Sequence, residues 1–457
     1  MRKFYIPKTT TLHAIEHVLI DSCSYNFNNR YGSHCKVEYN YSFRYADIKL
    51  YFKSLFYLLF SLHDSKRVTQ YKIEGINIGI SAYAMALKNS RVYTGRHWLY
   101  WELLIRLLIS TREYIIGTKI VKDLKSDKEC AVYLRDLAYT DSIIFDLCMQ
   151  SSIGVYTITF PYSMSFYNEK GLNAVNVRKY PFPKSNITNE QYSLYMTGRM
   201  SNPNDYISYY SPKEDVGEYD DSLVFNKEDI VALIYAHSFS DGQMFYGYDG
   251  FTNVYDWLCF TIDTLLIKGN IKIVVKAHPN FWSIGHIQEE VECDQKIWQL
   301  VKKRYKNTHL VEFIDRPIDN KLILEKTNKN NTIVVSHHSN ALAEAAYFGC
   351  KTISSFCSPW GDEYYNFSNT WKTKKQYSLL LNNFNVLKDT KINKLKNYVT
   401  DKLYNNDSGR GGDLIASESG IKRSDIFKDP EYATKDKFDN YDQSIKRISR
   451  LIDEFKL

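Results

Sequence analysis

The sequence predicts an α/β protein, and three observations support this class. Short apolar runs alternate with segments whose apolar side chains recur at helical spacing, which is typical of strands and helices that build a parallel sheet. The 457 residues exceed one ordinary core and suit two domains of about 200 residues each. Hydrophobic residues make up 44% and charged residues 24% of the chain, which excludes a disordered chain, a collagen-like chain and a disulfide scaffold.

The first part of the chain alternates helices and strands as far as residue 160. The apolar spacing predicts helices at 46–62, 97–116 and 140–151. Strands are predicted at 73–80, 132–139 and 154–160. The first of these is a strand or a strand-turn, because Gly75 and Gly79 interrupt it.

The second part of the chain predicts a doubly wound sheet. Five apolar strands are predicted at 229–238, 271–280, 309–315, 331–339 and 351–356. Helices are predicted between them at 255–269, 287–306 and 340–349. Ligands bind at the carboxyl ends of the strands in such sheets, and polar clusters follow those ends here at His237, His278 and 336–339.

These patterns divide the chain into two domains and a terminal helix. We predict an N-terminal domain at 1–227, in which the segment 162–227 is an irregular connection rich in Tyr, Ser, Asn and Pro. A second domain is predicted at 228–432. Residues 433–457 are predicted to form a C-terminal helix that packs back on the N-terminal domain.

Net charge, cysteine content and hydropathy limit the cellular roles that this protein can have. The net charge of +7 excludes a dedicated nucleic-acid binder and indicates a weak bias toward anionic ligands or a membrane surface. Eight cysteines without a CxxC pair predict scattered buried thiols in a reducing cytosol. No apolar run resembles a signal peptide, and the longest one, at 50–62, is too short to span a bilayer. We therefore expect a cytoplasmic protein, with peripheral membrane association left open.

The segment KAHPN at 276–280 is the first candidate for site chemistry. A predicted apolar strand ends here, which places Lys276, His278 and Pro279 at the edge of the sheet. Pro279 ends the hydrogen bonding between strands because it has no N–H. A histidine at the rim can donate to a phosphate oxygen or protonate a leaving group. The alternative is a capped strand end with a half-exposed histidine.

The segment SHHSNALAEAAYFG at 336–349 is the second candidate. Ser339 or Asn340 suits the N-cap of a helix, whose free N–H groups favour anions; plain capping is the alternative. Glu344, one turn later, either reaches a ribose hydroxyl or faces solvent. His337 and His338 would face opposite sides of one strand, which argues against a shared metal.

These two segments carry a resemblance to a known family. VVKAHPN at 274–280 and VVSHHSNALAEAAYFGCKTISS at 334–355 resemble GT-B glycosyltransferases of bacterial surface polysaccharides. More narrowly, they are similar to a capsule-synthesis group that includes Kdo transferases and has an HP motif and a serine motif also seen in sialyltransferases. The resemblance covers about 230–372. It implies a GT-B fold, in which two Rossmann-like domains face a cleft.

The same resemblance implies roles for individual residues. His278 is expected to contact the donor phosphate, and Ser336 and Ser339, with the helix start, to hold the same phosphate. SHHS stands where the family often has adjacent Ser-Ser or Ser-Thr, so either serine remains a candidate. Lys276, Pro279, His338, Asn340 and Glu344 complete the expected donor site.

The loop AHSFSDGQMFYGYDG at 236–250 adds two candidates. His237 and Asp241 follow a strand, and glycines make the loop turn-rich. A role in binding the donor or acceptor sugar and a purely structural role are both consistent with the sequence.

Inverting transfer requires a base that deprotonates the acceptor hydroxyl. Asp136, at a predicted strand end, is the first candidate, and Glu74, beside the glycines, is the second. The alternative for Asp136 is an ion pair with Arg135.

The sequence therefore predicts an enzyme, a glycosyltransferase of cell-surface glycan synthesis. The resemblance favours transfer from a CMP-activated acidic sugar, Kdo or sialic-acid-like, to capsule or lipopolysaccharide. The chain has no Asp-x-Asp, P-loop or GxSxG motif, so neither a metal nor another cofactor is expected. The expected partners are a nucleotide sugar and a glycan or glycolipid acceptor. A UDP- or GDP-hexose donor, a CDP-polyol phosphotransferase, a sugar-nucleotide epimerase and a non-catalytic glycan-binding protein remain alternatives.

Overall fold

The structure is a computed structural model. It describes residues 3–5, 35–36, 45–125, 131–134, 137–159, 163–177, 188–190, 192–193, 196, 229–282, 288–315, 318, 320–361 and 365–407. The chain divides into two compact units. Unit 1 comprises Met1–Ala82, Leu104–Val177 and Lys402–Leu457, and unit 2 comprises Tyr83–Leu103 and Arg178–Asp401.

The two domains at 1–227 and 228–432 stay predictions, as does the C-terminal helix at 433–457. That helix and most of the irregular connection at 162–227 lie outside the described residues.

Unit 1 contains a five-stranded sheet. Its strands are β1 (Lys3–Tyr5), β2 (Cys35–Lys36), β5 (Ala131–Leu134), β6 (Gly154–Thr159) and β7 (Ser163–Tyr167). They lie in the order β2-β1-β5-β6-β7, and all pairs are parallel except β6 with β7. The helices of this part are α1 (Tyr45–Ser61), α2 (Ser65–Thr69), α3 (Ile78–Ala86), α4 (Arg96–Lys125), α5 (Tyr139–Gln150) and α6 (Ala174–Val177). Helix α3 runs from unit 1 into unit 2, and helix α4 begins in unit 2 and ends in unit 1.

A hairpin replaces the strand predicted at 73–80. Strands β3 (Lys72–Ile73) and β4 (Ile76–Asn77) are antiparallel, and Glu74 and Gly75 form the turn with φ of 49° and 89°. Positive φ at both turn residues is the geometry of a tight type I′ hairpin. The strand-turn interpretation is confirmed up to Asn77, and the prediction is wrong beyond it because α3 begins at the next residue.

Unit 2 contains a six-stranded sheet in which every pair is parallel. Its strands are β8 (Val231–Tyr235), β9 (Lys272–Lys276), β10 (Val311–Ile314), β11 (Thr332–Ser336), β12 (Lys351–Ser355) and β13 (Asn369–Trp371). They lie in the order β10-β9-β8-β11-β12-β13, which is the doubly wound order 3-2-1-4-5-6. The helices are α7 (Val254–Leu266), α8 (Gln288–Tyr305), α9 (Asn320–Lys326), α10 (Ala341–Tyr347), α11 (Lys374–Asn382) and α12 (Ile392–Asp407).

The core of unit 2 lies on both faces of this sheet. All residues of β8 and β11 are buried, which explains why these strands read as continuous apolar runs rather than alternating ones. The largest buried side chains are Trp257, Trp298, Trp360 and Trp371, each with 0% exposure. This core fixes the strand ends and therefore the loops that leave them.

The predicted α/β class is confirmed by these two sheets. The five strands predicted for the second domain are all present, and the sixth, β13, was missed because it has only three residues. Two α/β units with mainly parallel sheets are what a GT-B chain requires. Five of the cysteines are free and buried, as predicted: Cys148, Cys259, Cys293, Cys350 and Cys357.

No helix in the described part of the chain combines the length and the apolar character needed to cross a bilayer.

Candidate functional site

The carboxyl edge of the unit 2 sheet contains a topological switch point. β8 and β11 are parallel neighbours, and the chain goes on from them to β9 on one side and to β12 on the other. Ligands bind in such sheets in the crevice outside the carboxyl ends of these two strands. Three loops leave the edge here: 236–242 after β8, 277–282 after β9 and 337–340 after β11.

Four histidines from these loops form a cluster. The ring centroids of His237 and His338 are 3.7 Å apart at an interplanar angle of 32°, and those of His237 and His278 are 5.2 Å apart. The ring of His337 lies 4.8 Å from that of His338. The structure thus brings together three predicted site residues from three separate stretches of sequence, His237, His278 and His338.

Burial keeps two of these imidazoles uncharged at neutral pH. Burial, followed by the neighbouring His337, lowers the pKa of His237 from 6.5 to about 4. Burial, followed by the other three histidines, holds the pKa of His338 well below its usual range. A neutral imidazole has one N–H donor and one lone pair. The cluster can therefore donate and accept hydrogen bonds in fixed directions. A bound anion would raise the pKa values of His237 and His338.

Gly242 lets the loop after β8 approach this cluster. Its φ is +71°, a conformation that side chains with a Cβ rarely adopt. A Cβ at this position would lie 3.2 Å from Cε1 of His237 and 3.5 Å from Nε2 of His338. Glycine is therefore the residue that fits between the backbone of this loop and the two rings.

Behind the cluster, Asp249 forms a chain of hydrogen bonds with two histidines. Its Oδ2 lies 2.8 Å from Nε2 of His337 and accepts from the Ser355 hydroxyl at 2.6 Å. Nδ1 of His337 lies 2.6 Å from Nδ1 of His338. Burial alone would raise the pKa of Asp249, but His337 and the hydrogen bonds lower it, so the group is a carboxylate at neutral pH.

A second buried carboxylate shapes the loop after β8. Asp294, on α8, accepts hydrogen bonds from the backbone N–H groups of Phe239 and Ser240, both at 2.8 Å, and from the Ser238 hydroxyl at 2.7 Å. It is 1% exposed, and burial raises its pKa to about 6. Asp294 therefore fixes the backbone immediately after His237.

Lys276 and Glu344 belong to one buried network. Nζ of Lys276 donates to Oδ1 of Asn320 at 2.7 Å, and Nδ2 of Asn320 donates to Oε2 of Glu344 at 2.5 Å. Both charged side chains are buried, with exposures of 5% and 6%. The alternative of a solvent-facing Glu344 is therefore wrong, since the carboxylate is buried and bonded to Asn320. The expected contact of Glu344 with a ribose hydroxyl stays a prediction.

The serine motif is placed at the end of β11. The Ser336 hydroxyl donates to the carbonyl of Tyr235 at 2.9 Å and accepts from the N–H of Ser339 at 3.3 Å. It is fully buried, so its observed bonds tie β11 to β8. The Ser339 hydroxyl accepts from the N–H of Ala341 at 3.3 Å, the first residue of α10.

Asn340 occupies the N-cap of α10 without capping it through its side chain. Its Oδ1 instead accepts from the Tyr398 hydroxyl at 2.6 Å. Pro279 opens a single 3₁₀ turn, Pro279–Trp282, directly after His278. The phosphate contacts expected for these residues stay predictions.

Asp241 lies at the outer end of the same loop. Its side chain is 46% exposed and its Oδ1 is 3.9 Å from Nζ of Lys88, which also pairs with Glu290 at 2.7 Å. Its N–H donates to the Ser238 hydroxyl at 3.1 Å. A sugar contact for Asp241 stays a prediction.

The two candidate bases belong to unit 1. Asp136 and its expected partner Arg135 lie outside the described residues. Glu74 is exposed in the hairpin turn and accepts from the Tyr114 hydroxyl at 2.8 Å. Burial, together with this carboxylate, raises the pKa of Tyr114 to about 12.

Within the described ranges, no group of three or more His, Cys, Asp or Glu side chains is arranged to hold a metal ion.

Sequence reasoning missed Asp249, Asp294 and Asn320. Asp294 had a readable signal, because it lies three residues from both Val291 and Ile297 and so shares the apolar face of α8. A carboxylate on an apolar face needs buried donors. Asp249 stands before Gly250 in a turn-rich loop, and its partner His337 is far away in sequence.

Comparison with known proteins gives neither a matching family model nor a matching curated sequence. Several solved structures are similar at low identity. KpsC, a β-Kdo 2,4 transferase from Thermosulfurimonas dismutans, is 10% identical over 60% of this chain and 78% of its own, with a TM-score of 0.35. An α,α-trehalose 6-phosphate synthase from Burkholderia multivorans is 10% identical over 82% and 83%, with a TM-score of 0.36. A UDP-GlcNAc 2-epimerase from Methanocaldococcus jannaschii, solved with UDP-GlcNAc and UDP, is 11% identical over 65% and 81%, with a TM-score of 0.26. These values assign no activity to the chain.

Proposed function

We propose that this protein is a glycosyltransferase that binds a nucleotide-sugar donor at the carboxyl edge of the unit 2 sheet. The observation that carries the proposal is the histidine cluster at the switch point between β8 and β11. Parallel doubly wound sheets bind nucleotides at this place, and donors fixed in advance stabilise charge that develops on a leaving phosphate. An imidazole N–H of this cluster supplies such a donor without a metal ion.

His278 is the residue proposed to contact the donor phosphate. It leaves the sheet directly after β9, and its ring packs 5.2 Å from that of His237. The acceptor hydroxyl attacks the anomeric carbon, and the bond between that carbon and the phosphate oxygen breaks. Its electron pair stays on the phosphate, where an imidazole N–H stabilises the charge. The proton of the acceptor hydroxyl passes to a carboxylate, for which Asp136 and then Glu74 are proposed.

The proposed donor is a CMP-activated acidic sugar, and the proposed acceptor is a growing cell-surface glycan of the capsule or lipopolysaccharide kind. The HP and serine segments support this choice through their resemblance to Kdo transferases and sialyltransferases. Helix α1 exposes Phe52, Phe56 and Phe60 by 56%, 57% and 82%, which supports peripheral association with a cytoplasmic membrane surface. A UDP- or GDP-hexose donor is the second candidate, because a switch-point site can bind any of these nucleotides.

Thermal unfolding with CMP, CDP, UDP, GDP and ADP, in the absence of metal, tests the proposal. A nucleotide at 100 times its Kd should stabilise the wild type by about 2.7 kcal/mol. His278→Ala should lose most of this shift. His309→Ala is the matched control, because this histidine is exposed in the turn before β10, at the opposite edge of the sheet.

The pattern of shifts separates the alternatives. A shift with CMP alone supports the CMP-sugar donor, and a shift with UDP or GDP supports the second candidate. Release of the same nucleotide from its sugar upon addition of a glycan acceptor identifies a transferase rather than an epimerase. A protein that no nucleotide stabilises would contradict the proposal and favour a non-catalytic glycan-binding role.

A further inference from the structure

The hydrogen-bond chain behind the histidine cluster has a fixed direction. Asp249 is anchored by the Ser355 hydroxyl at 2.6 Å and by the N–H of Phe251 at 3.4 Å, and its side chain is 4% exposed. A carboxylate can only accept hydrogen bonds. Nε2 of His337, at 2.8 Å from Oδ2, therefore carries the proton of that contact.

The position of the proton on His337 determines the position of the proton on His338. A neutral His337 with its proton on Nε2 has a lone pair on Nδ1. Nδ1 of His338 lies 2.6 Å from Nδ1 of His337, so His338 donates from Nδ1 whenever His337 is in this neutral form. A neutral His338 with its proton on Nδ1 then has its own lone pair on Nε2. This nitrogen lies beside Gly242, within the cluster.

His237 likewise has its proton on Nδ1 and its lone pair on Nε2, but for a different reason. Its Nδ1 lies 3.3 Å from the carbonyl of Ser238, which can only accept, so Nε2 of a neutral His237 is also a lone pair. The ring centroids of His237 and His338 lie 3.7 Å apart at an interplanar angle of 32°. In these neutral forms, Nε2 of His237 and Nε2 of His338 accept hydrogen bonds. Such acceptors match phosphate oxygens poorly and hydroxyl groups well.

From this we infer that Asp249 and His337 are positioning residues that fix the tautomer of His338, whose Nε2 accepts a hydrogen bond from a hydroxyl group of the nucleotide-sugar donor. The inference rests on the proposed function for the identity of the ligand, whereas the tautomer itself is a property of the free protein. It gives His338, which the sequence placed in the donor site without a stated contact, a role in binding a hydroxyl group. The phosphate is left to His278.

The tautomer is measured first, by NMR of ligand-free protein labelled with ¹⁵N in its histidines. His338→Gln identifies the His338 resonances. We expect a protonated Nδ1 and an unprotonated Nε2 for His338 in the wild type. Asp249→Asn should reverse both, because Phe251 donates to Oδ1 and so leaves the amide NH₂ at the Oδ2 position, facing His337.

Two internal comparisons make this result specific. Ser355→Ala removes a hydrogen bond to Asp249 but leaves the carboxylate, so the His338 tautomer should not change. The tautomer of His237 should be the same in every variant, because its partner is a backbone carbonyl. A wild-type His338 protonated on Nε2, or one unaffected by Asp249→Asn in a folded protein, would overturn the inference.

Binding of modified ligands tests the hydroxyl contact. The probes are the nucleotide that stabilises the protein, its 2′-deoxy and 3′-deoxy forms, and a nucleotide sugar compared with its deoxysugar form. In the wild type, removal of one ribose or sugar hydroxyl should weaken binding roughly three- to tenfold, and the identity of that hydroxyl distinguishes the two sources. In His338→Ala, which lacks the imidazole, the loss of that hydroxyl should have no effect.

The outcomes separate the two proposals. Equal discrimination in the wild type and in His338→Ala, or none in the wild type, would contradict the role of His338 in binding a hydroxyl. The expected tautomer in a protein that binds no nucleotide would overturn the proposed function and leave the Asp249–His337–His338 chain in place.

Discussion

Replacing Asp294 with alanine is expected to lower the free energy of unfolding of unit 2 by about 3 kcal/mol or more. The substitution leaves the N–H groups of Phe239 and Ser240 and the hydroxyl of Ser238 without their acceptor in a buried place. Each unpaired group costs about 1–3 kcal/mol. Urea unfolding followed by tryptophan fluorescence measures the effect, because all seven tryptophans belong to unit 2.

Asp294→Asn is the matched control for this prediction. The amide oxygen can keep both backbone hydrogen bonds, so we expect a much smaller loss. A raised folded-state pKa means that the folded protein binds the proton more tightly than the unfolded chain does. The stabilisation that comes from proton binding by Asp294 is therefore fully present below the ordinary pKa of 3.8 and is lost as the pH rises through about 6.

The difference in free energy of unfolding between the wild type and Asp294→Asn should follow this pH dependence. The wild type gains relative to the variant as the pH falls from neutral to acid. Equal losses for the alanine and asparagine variants would show that Asp294 does not hold the loop through the observed bonds.

Gly79→Ala is expected to destabilise unit 1 on the order of 3 kcal/mol. A Cβ at this position would lie 1.8 Å from the carbonyl oxygen of Val68 and 2.9 Å from Cβ of Tyr71. Both neighbours are held in place. The N–H of Tyr71 donates to the Val68 carbonyl, and the N–H groups of Ile78 and Gly79 donate to the Tyr71 carbonyl. The first turn of α3 would have to move away from α2. Urea unfolding followed by far-ultraviolet circular dichroism measures the loss.

Gly171→Ala provides the comparison in the same unit. Its φ is +95°, but nothing lies within 4 Å of an added Cβ, so only backbone strain of about 1 kcal/mol is expected. A Gly79→Ala protein as stable as Gly171→Ala would show that the close approach of α3 to Val68 is not required.

The sequence was a good guide to the unit 2 sheet because burial leaves a strong trace there. Strands such as β8 and β11 are buried on both faces and appear as continuous apolar runs, each followed at once by polar residues. The expectation that His237 and His278 lie at one edge of the sheet follows from parallel strand order alone. The three-residue β13 and the two-residue β2 leave no such trace.

The interactions behind the site could not be derived from the sequence. Asp249 meets His337 and Ser355 across more than 80 residues of chain, and single-sequence patterns carry no information on such pairs. Asn320, which joins Lys276 to Glu344, is an ordinary polar residue at the start of a helix. In both cases the sequence pointed to the residue at the strand end and not to the partner that fixes it.

Hydrogen–deuterium exchange with and without CMP-, UDP- and GDP-sugars tests the central claim most directly, because it locates the donor on the wild-type protein. We predict that one donor slows exchange in peptides that cover 236–242, 277–282 and 337–340, which share the carboxyl edge of the unit 2 sheet. Peptides that cover 306–310 and 327–331, at the amino ends of β10 and β11, should be unchanged. Slowed exchange only outside the three loops, or no change with any donor, would contradict the claim that this edge binds a nucleotide sugar.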